Sequence, residues 1–407
     1  MCTLKSKSLF KSFQSMYLLC SLKSKLHAVS HGLWRARQPL NLKIRPRVAR
    51  LAARWDVRGN RQGRSIALGW TANVVGGVKN HLKAIREHSS YRPVVLPSDF
   101  CIRTAGKRYL PRLVGDIISP AALSSFDILH SHVDPWFVQQ CYDTQQRYGK
   151  PWVHTYHTLY FQDDWGGVLK PWQKEANRRL LSLAPQADIC LSVSQWLHTY
   201  LAEEYGVETL YLPNGIDYRK CQSANPERFR KLYGKDDFAL FVGTGAEIKN
   251  PVAFIELARQ FKKKSFVMVG RRLSRNIFLD RYGITIPRNV KILGPLKHEE
   301  VLDAIAGCRV FVMTSRSEGL PTVLMEAMAL GKPVVGSDRF GIPEVIGSKK
   351  CGFIYRFGDA ADLSAKFQAA WHDGVRCNEE AKKRIRNNYD WSKVIKLLDS
   401  IYGELLT

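Results

Sequence analysis

Acidic side chains are scarce in this chain of 407 residues: 36 Asp and Glu stand against 62 Lys and Arg, a formal net charge of +26. No apolar run reaches the roughly 18 residues that a membrane-spanning helix needs. The nine cysteines are odd in number and include no Cys-x-x-Cys pair. With 45% hydrophobic and 24% charged residues, these features exclude a polytopic membrane protein, a disulfide scaffold, a zinc ribbon and a disordered chain.

More than half of the excess charge lies in residues 1–64, where 15 Lys and Arg accompany a single acid, Asp56. Apolar residues such as Leu9, Phe13 and Tyr17 recur there at helical spacing, which predicts a basic amphipathic helix able to lie on an anionic bilayer. A solvated tail is the alternative. No small-residue cleavage site follows residues 16–22, so no signal peptide is expected. The scattered cysteines indicate a cytosolic protein with reduced thiols.

Short apolar runs alternate with longer amphipathic segments in two series, residues 65–212 and residues 238–355. The apolar runs are continuous, which is typical of parallel strands covered by helices on both faces. We therefore predict an N-terminal domain at 65–217, a second domain at 218–385 and a helical tail at 386–407, after the basic extension at 1–64. Ligands bind at the carboxyl ends of such strands, so two facing domains would form a cleft for them.

The most informative segment is residues 315–335, SRSEGLPTVLMEAMALGKPVV. Pro321 suits the first position of a helix and Gly331 suits the position just past its end. Glu318 precedes this helix, and Glu326 lies inside it among apolar residues, an awkward place for an unused charge. Eight residues of helix separate the two carboxylates by about 10 Å. Such a pair could hold two sets of sugar hydroxyls, while exposed amides between them bind a diphosphate.

The spacing of Glu318 and Glu326, followed by GIPEVI at 341–346, resembles the E-x7-E signature of the retaining glycosyltransferases of family GT4. The resemblance extends over most of residues 65–407 and includes PNGID at 213–217, VKILG at 290–294 and YDW at 389–391. It implies the GT-B fold, in which two Rossmann-like parallel-sheet domains face each other across a cleft. The last helix of that family crosses back to the first domain, which is expected here for residues 386–407.

The resemblance also implies roles for individual residues. Glu318 would hold the donor sugar and Glu326 the ribose, and His157 would lie beside the donor sugar near the reacting centre. We expect Glu318 and His157 to be the catalytic residues. The remaining donor-binding residues implied by the resemblance are Gly76, Gly77, Gly243, Lys249, Gly319, Leu320 and Glu326.

One position departs from the family pattern, because Thr244 stands where an Arg of the diphosphate clamp is usual. Arg271, Arg272 or Arg316 are the candidates to replace that charge. A dinucleotide fingerprint fails, since Ile248 occupies the third glycine position. Four histidines, His130, His132, His154 and His157, raise the question of zinc. No carboxylate or cysteine completes a ligand set, so no metal and no cofactor are expected.

The resulting expectation is a cytoplasmic, retaining hexosyltransferase that moves a sugar from a UDP- or GDP-linked donor to a glycan or lipid-linked acceptor. Assembly of a surface polysaccharide or lipopolysaccharide is the expected setting, with residues 1–64 in peripheral contact with an anionic membrane. A nucleotide-sugar epimerase of the same fold is one alternative. A catalytically silent sugar-nucleotide or nucleic-acid binder is another, although nucleic acid is not the expected partner. The sequence leaves the base, sugar, linkage, acceptor and oligomeric state open.

Overall fold

A computed structural model describes residues 63–69, 76–96, 119–165, 167–234, 237–374 and 378–407. The basic extension predicted at 1–64 lies almost wholly outside the described residues. In the described part of the chain, no helix combines the length and the apolar character needed to cross a bilayer.

Twelve strands form the framework of the described residues, six in each of two sheets. Those of the first sheet are β1 Ser65–Leu68, β2 Arg92–Val95, β3 Ile128–Ser131, β4 Trp152–Tyr156, β5 Ile189–Ser192 and β6 Leu210–Tyr211. Those of the second are β7 Phe238–Val242, β8 Ser265–Val269, β9 Val290–Leu293, β10 Val310–Met313, β11 Val334–Ser337 and β12 Phe353–Tyr355.

Every strand pair in both sheets is parallel, as the continuous apolar runs predict. The first sheet has the order β2-β1-β3-β4-β5-β6, and the second has the order β12-β11-β10-β7-β8-β9. The second order is that of a doubly wound dinucleotide fold, whose binding crevice opens where the strand order reverses, between β7 and β10. The predicted α/β class with two parallel-sheet domains is therefore confirmed.

Helices cover both faces of each sheet. The first domain contains α1 Gly77–His88, α2 Pro120–Leu123, α3 Pro135–Tyr148, α4 Pro171–Ser182 and α5 Gln195–Tyr205. The second contains α6 Tyr218–Gln222, α7 Pro226–Tyr233, α8 Pro251–Gln260, α9 Arg275–Tyr282, α10 His298–Gly307, α11 Thr322–Ala329, α12 Ile342–Ile346 and α13 Ala360–Asp373. The chain ends with α14 Asn378–Asn388 and α15 Trp391–Leu405.

The helical tail predicted at 386–407 begins inside α14, and a break at residues 389–390 separates that helix from α15. Asp390 lies two residues past the end of the first helix and caps the second, accepting a hydrogen bond from the Ser392 amide at 3.1 Å. At the break, the Tyr389 carbonyl accepts a hydrogen bond from the Ile216 amide at 2.8 Å. The chain therefore crosses between the domains here. Helix α14 packs on α11 of the second domain, whereas α15 packs on α1 of the first.

Helix α15 completes the apolar core of the first domain. Its buried residues Trp391, Val394, Ile395, Leu398, Ile401 and Tyr402 join a cluster with residues of β1, β3 and α1. Asp399 accepts hydrogen bonds from the Ser89 and Ser90 hydroxyls at 2.6 and 2.7 Å. Burying a large apolar side chain contributes about 1.5–3 kcal/mol. Helix α15 is thus an integral part of the first domain. The chain passes between the domains twice, at residues 213–217 and at residues 389–390, and we call these two places the domain crossings.

Candidate functional site

The loop after β10 carries the first glutamate of the E-x7-E motif. Glu318 Oε1 accepts a hydrogen bond from Lys249 Nζ at 2.6 Å and another from the Ser315 hydroxyl at 2.7 Å. Lys249 lies in the loop after β7, so the two loops meet at the point where the strand order reverses. The Thr314 hydroxyl joins these loops by donating to the Asn250 carbonyl at 2.8 Å. A carboxylate and an ammonium group are therefore held together at the predicted crevice.

Helix α11 carries the second glutamate of the motif. Glu326 is buried, with only 6% of its surface exposed. Its Oε1 lies 2.8 Å from Nε2 of His298, the first residue of α10. Glu326 thus has a polar partner on α10. His298 was missed by the sequence analysis, because nothing in a lone histidine at the start of a helix indicates a partner in another helix.

Glycines let the two domains approach each other at the start of α11. A Cβ added to Gly319 would overlap the carbonyl oxygen of His157, a residue of the first domain. On its other side, a Cβ added to Gly341 would overlap the Gly319 carbonyl. A side chain at Gly319 would therefore force the domains apart. The structure brings Gly319 and His157 together as backbone neighbours.

The loop between β7 and α8 is also packed backbone against backbone. A Cβ at Gly245 would overlap the Arg272 carbonyl, and the Gly245 amide donates to the Arg271 carbonyl at 2.9 Å. A Cβ at Gly243 would press on the ring of Phe241 at 2.9 Å and lie 3.8 Å from Cβ of Lys249. Gly243 therefore shapes the start of the loop that presents Lys249.

The three arginines named as candidates to replace the clamp arginine missing at Thr244 make other contacts. Arg316 is directed elsewhere, since its Nη1 donates to the Asp163 carbonyl of the first domain at 2.9 Å. Arg271 and Arg272 line this loop through their backbone carbonyls, and Arg272 has the unusual φ of 57°. Lys249 is the cation that contacts Glu318.

Gly76 and Gly77 lie at the start of α1. Gly76 has a φ of 88°, a conformation that residues with a Cβ rarely adopt, and its carbonyl accepts the Asn80 amide at 3.2 Å. A Cβ added to Gly77 would lie 3.9 Å from Nδ2 of Asn214. Asn214 Nδ2 in turn donates to the Leu320 carbonyl at 3.2 Å. Gly77, Asn214 and Leu320 therefore meet at the domain crossing.

Histidines form a buried cluster beside these crossings. His132 Nδ1 lies 3.0 Å from His157 Nε2, and the His81 ring lies 5.2 Å from the His157 ring. His81 Nδ1 contacts Asn214 Oδ1 at 3.1 Å, which links the cluster to Leu320. His130 stacks on His132, with ring centroids 4.3 Å apart. The His157 ring is thus engaged by another histidine, while its carbonyl faces Gly319.

His130 and His154 have hydrogen-bonding partners on other elements. His130 contacts the Tyr402 hydroxyl at 2.6 Å and Thr155 Oγ1 at 2.7 Å. His154 Nδ1 contacts the Ser131 hydroxyl at 2.8 Å. His81 was missed by the sequence analysis, although its place on the buried face of the amphipathic helix α1 is a signal that the helical spacing carries. Among the described residues, no group of three or more His, Cys, Asp or Glu is arranged to hold a metal ion.

Burial keeps this cluster neutral. It lowers the pKa of His81 to about 4 and that of His154 to about 3. Burial, followed by repulsion from neighbouring imidazoles, lowers the pKa of His130, His132 and His157 well below the ordinary 6.5. Neutral imidazoles can donate one hydrogen bond and accept another. The cluster is therefore a hydrogen-bonding element without charge at neutral pH.

A second set of contacts joins the domains at Glu344 of α12. Its carboxylate accepts hydrogen bonds from the Gln195 amide and the Tyr211 hydroxyl of the first domain, both at 2.7 Å. Burial raises the pKa of Glu344, although these hydrogen bonds oppose the shift. Nearby, Phe340 packs against the rings of Trp196 and Phe161, with centroids 4.4 and 5.5 Å apart. Glu344 therefore serves contacts between the domains.

Comparison with protein-family models divides the chain at the same crossing. Residues 67–220 match the model described as Glycosyltransferase Family 4, and residues 224–391 match the model described as Glycosyl transferases group 1. Together the two matches include strands β2 to β12 and the site residues from Gly76 to Glu344, with α10 in the second match.

Similar curated proteins act on different substrates. The chain is 38% identical over 108 residues to sulfoquinovosyl transferase SQD2 of Arabidopsis thaliana, covering 24% of this chain and 20% of that protein. It is 25% identical to a GDP-mannose-dependent mannosyltransferase of Corynebacterium glutamicum, covering 57% of this chain and 64% of that protein. It is 24% identical to phosphatidyl-myo-inositol mannosyltransferase of Mycobacterium leprae, covering 69% and 74%. The first two alignments span less than two thirds of the relatives' lengths.

Solved structures share the fold. Sucrose-phosphate synthase of Thermosynechococcus elongatus superposes with a TM-score of 0.68 at 17% identity, over 84% of this chain and 99% of that one. HepE of Anabaena in complex with UDP and glucose gives a TM-score of 0.68 at 15% identity, over 84% and 100%. The predicted GT-B fold is therefore confirmed.

Proposed function

This chain belongs to glycosyltransferase family 4, and on that premise we propose that it is a retaining hexosyltransferase that uses a nucleotide diphosphate sugar. The proposed acceptor is a glycan or a lipid-linked glycan, in surface polysaccharide or lipopolysaccharide assembly. The proposed site comprises Glu318 and Lys249 at the reversal of strand order, with Glu326 on the helix that follows. Both UDP and GDP remain candidates for the donor nucleotide.

One observation carries this proposal: the hydrogen bond between Lys249 and Glu318 at the start of α11. The amides at the start of that helix carry partial positive charge, which favours a bound diphosphate. Glu318 beside them can accept hydrogen bonds from hydroxyls of the donor sugar, and the buried Glu326 can accept those of the ribose. When the donor binds, Lys249 would turn from Glu318 toward the diphosphate.

The proposed reaction breaks the bond between the anomeric carbon and the diphosphate. Negative charge develops on the leaving nucleoside diphosphate, and Lys249 and the start of α11 are placed to stabilise it. Retention then requires the acceptor hydroxyl to attack from the face that the diphosphate leaves. In that route the departing phosphate oxygen takes the hydroxyl proton, so no carboxylate nucleophile is needed. The close approach of Gly319 to the His157 carbonyl brings the two domains together here, and closure of the cleft at this point would exclude water from the reaction.

Binding of the donor is tested by calorimetry of the full chain with UDP, GDP and ADP, each with and without its glucose or mannose ester. We expect one base to bind, with affinity at least tenfold weaker in Glu326→Ala, because a hydrogen bond to a charged group contributes about 1.5–3 kcal/mol. The matched control is Glu299→Ala, whose carboxylate is 69% exposed. Absence of binding by every nucleotide would refute the proposal.

Transfer is separated from epimerisation by following the donor in the presence and absence of acceptor extracts. A transferase releases the nucleoside diphosphate when acceptor is added, and proton NMR of the product then reads retention from the anomeric coupling. An epimerase converts the donor without acceptor and without release of nucleotide. Acceptor-independent conversion would therefore refute transfer.

We also propose that the protein works in the cytoplasm and contacts an anionic membrane peripherally through residues 1–64. The support is the charge of that segment, since a cation near an anionic surface contributes about 1 kcal/mol. Flotation with phosphatidylglycerol vesicles tests this, with phosphatidylcholine vesicles as the control. We expect the full chain to float only with the anionic vesicles. Equal flotation of a chain lacking residues 1–60 would refute the membrane contact.

A further inference from the structure

A cavity of about 370 Å³ lies between the domains, beside the proposed donor site. Its lining residues are Asp163, Gly167, Arg316, Arg339 and Phe357. The first two belong to the first domain, in and after the short 3₁₀ turn Gln162–Trp165 that follows β4. The other three follow β10, β11 and β12 of the second domain. Neither the sequence signature nor the proposed donor contacts account for this cavity.

Arg316 is held in place by two hydrogen bonds, but one of its side-chain N–H groups has no acceptor. Its amide donates to the Ile248 carbonyl at 2.8 Å, and its Nη1 donates to the Asp163 carbonyl at 2.9 Å. Its guanidinium carbon lies 5.6 Å from the centroid of the Phe357 ring. Its Nε is buried, yet no hydrogen-bond acceptor contacts it. A buried N–H without an acceptor costs free energy, which a bound ligand can recover.

Arg339 faces the same aromatic ring. Its guanidinium carbon lies 5.7 Å from the centroid of Phe357 and 5.0 Å from that of Phe340. Within the described ranges, no hydrogen bond or ion pair is found for the guanidinium of Arg339. The next residue, Phe340, has a φ of 52°, a conformation that is costly for a bulky side chain. Such a conformation persists only where its surroundings enforce it, as at binding sites.

Basic and acidic side chains both border the cavity. The buried Asp164 interacts electrostatically with both arginines, and burial raises its pKa while the Ser317 hydroxyl opposes the shift. Asp163 contributes its carbonyl to Arg316, and its side chain is exposed to solvent. Two guanidinium groups therefore face one buried carboxylate. The N–H groups of two arginines can donate hydrogen bonds to one oxyanion from two directions. The planar arrangement of these donors matches the oxygen atoms of a phosphate or a carboxylate.

We propose that Arg316, Arg339 and Phe357 form a subsite for an oxyanion, a phosphate or a carboxylate, that the acceptor carries. The inference rests on the proposed transferase function and extends it to the acceptor class. The donor diphosphate is already provided with Lys249 and the start of α11. Both domains line the cavity, so an acceptor that enters between the domains can reach it. The subsite would hold that acceptor near Glu318, which is two residues from Arg316.

The test uses the full chain and three probes, inorganic phosphate, glycerol 3-phosphate and glycerol, titrated by calorimetry with UDP present and absent at constant ionic strength. We expect both phosphates to bind and glycerol not to bind. In Arg339→Gln the affinity for glycerol 3-phosphate should fall at least tenfold, and Arg339→Lys should restore only part of it. The matched control is Arg356→Gln, since Arg356 is 77% exposed and pairs with Asp359.

Three outcomes would overturn the proposal. The first is that wild-type protein binds neither phosphate, and the second is that Arg339→Gln binds them as wild type does. The third is that Arg356→Gln loses as much affinity, which would indicate a general charge effect. A donor arm compares UDP-glucuronate with UDP-glucose. A preference for the glucuronate that disappears in Arg339→Gln would assign the anion to the donor and refute the acceptor assignment. Failure to bind any nucleotide, with phosphate binding retained, would refute the transferase function separately.

Discussion

The ammonium group of Lys249 donates a hydrogen bond across 2.6 Å to the carboxylate of Glu318, joining the two loops that flank the reversal of strand order. The Ser315 hydroxyl donates to the same oxygen at 2.7 Å. Glu318 therefore keeps one partner when Lys249 turns toward a diphosphate. This arrangement suits Lys249 to stabilise the leaving group, and not only to balance the charge of Glu318.

Replacement of Lys249 by Ala should weaken the binding of UDP, or of the nucleotide that binds, by about tenfold or more, because charge-assisted hydrogen bonds contribute about 1.5–3 kcal/mol. Binding of the corresponding nucleoside, which has no phosphate, should be unchanged. Calorimetry with both ligands measures the difference. The control is Lys263→Ala on the exposed surface. Equal losses for nucleotide and nucleoside would contradict a diphosphate contact.

Replacement of Glu326 by Ala should remove the preference for a complete ribose. Wild-type protein is expected to bind the nucleotide more tightly than its 2′-deoxy analogue, by about tenfold, as for a hydrogen bond to a buried carboxylate. The variant should bind both about equally. His298→Ala tests the imidazole that contacts Glu326, and should change affinity for both ligands by the same factor. A ribose preference that survives in Glu326→Ala would place the ribose elsewhere.

Replacement of Gly319 by Ala should separate the domains, since the new Cβ would overlap the His157 carbonyl. Overpacking of this kind costs about 1–3 kcal/mol, so we expect a lower melting temperature and a large loss of transfer activity. Gly307→Ala is the matched control, because a Cβ there meets only ordinary contacts at 3.8 Å. Unchanged activity in Gly319→Ala would show that transfer does not need this approach of the domains.

Acidification should destabilise the protein through its buried histidines. The pKa of His81 falls from 6.5 to about 4 on folding, so below pH 6.5 the unfolded chain binds the extra proton and the folded chain does not. Stability is therefore retained above pH 6.5 and lost as the pH falls toward 4. Each such histidine contributes a slope of about 1.4 kcal/mol per pH unit.

Denaturant unfolding at intervals from pH 7.5 to 5 measures this slope. In His132→Gln the slope should be shallower by about one histidine's contribution, because the pKa of His132 is also well below its ordinary value. The control His372→Gln removes an exposed histidine and should leave the slope unchanged. A slope that is the same in all three proteins would contradict buried, neutral imidazoles.

Much of the fold could be predicted from the sequence. The continuous apolar runs in residues 65–212 and 238–355 predicted parallel strands there, because a strand covered on both faces must be apolar throughout. Pro321 and Gly331 correctly bracketed α11, since these residues act through their own backbone geometry. The predicted helical tail at 386–407 contains a break, where Asp390 caps a second helix. Its position was decided by the backbone crossing at Ile216, a partner distant in the chain.

The sequence by itself determined the two α/β domains, the E-x7-E helix and the burial of Glu326, because each depends on residues within a few turns of one another. Only the tertiary structure decided that Lys249 contacts Glu318, that His298 contacts Glu326, and that imidazoles from separate elements form one cluster. It likewise brought two arginines to one aromatic ring between the domains. These contacts join loops from different strands. Parallel topology collects the carboxyl ends of those strands at one edge, and local patterns carry no information about which side chains meet there.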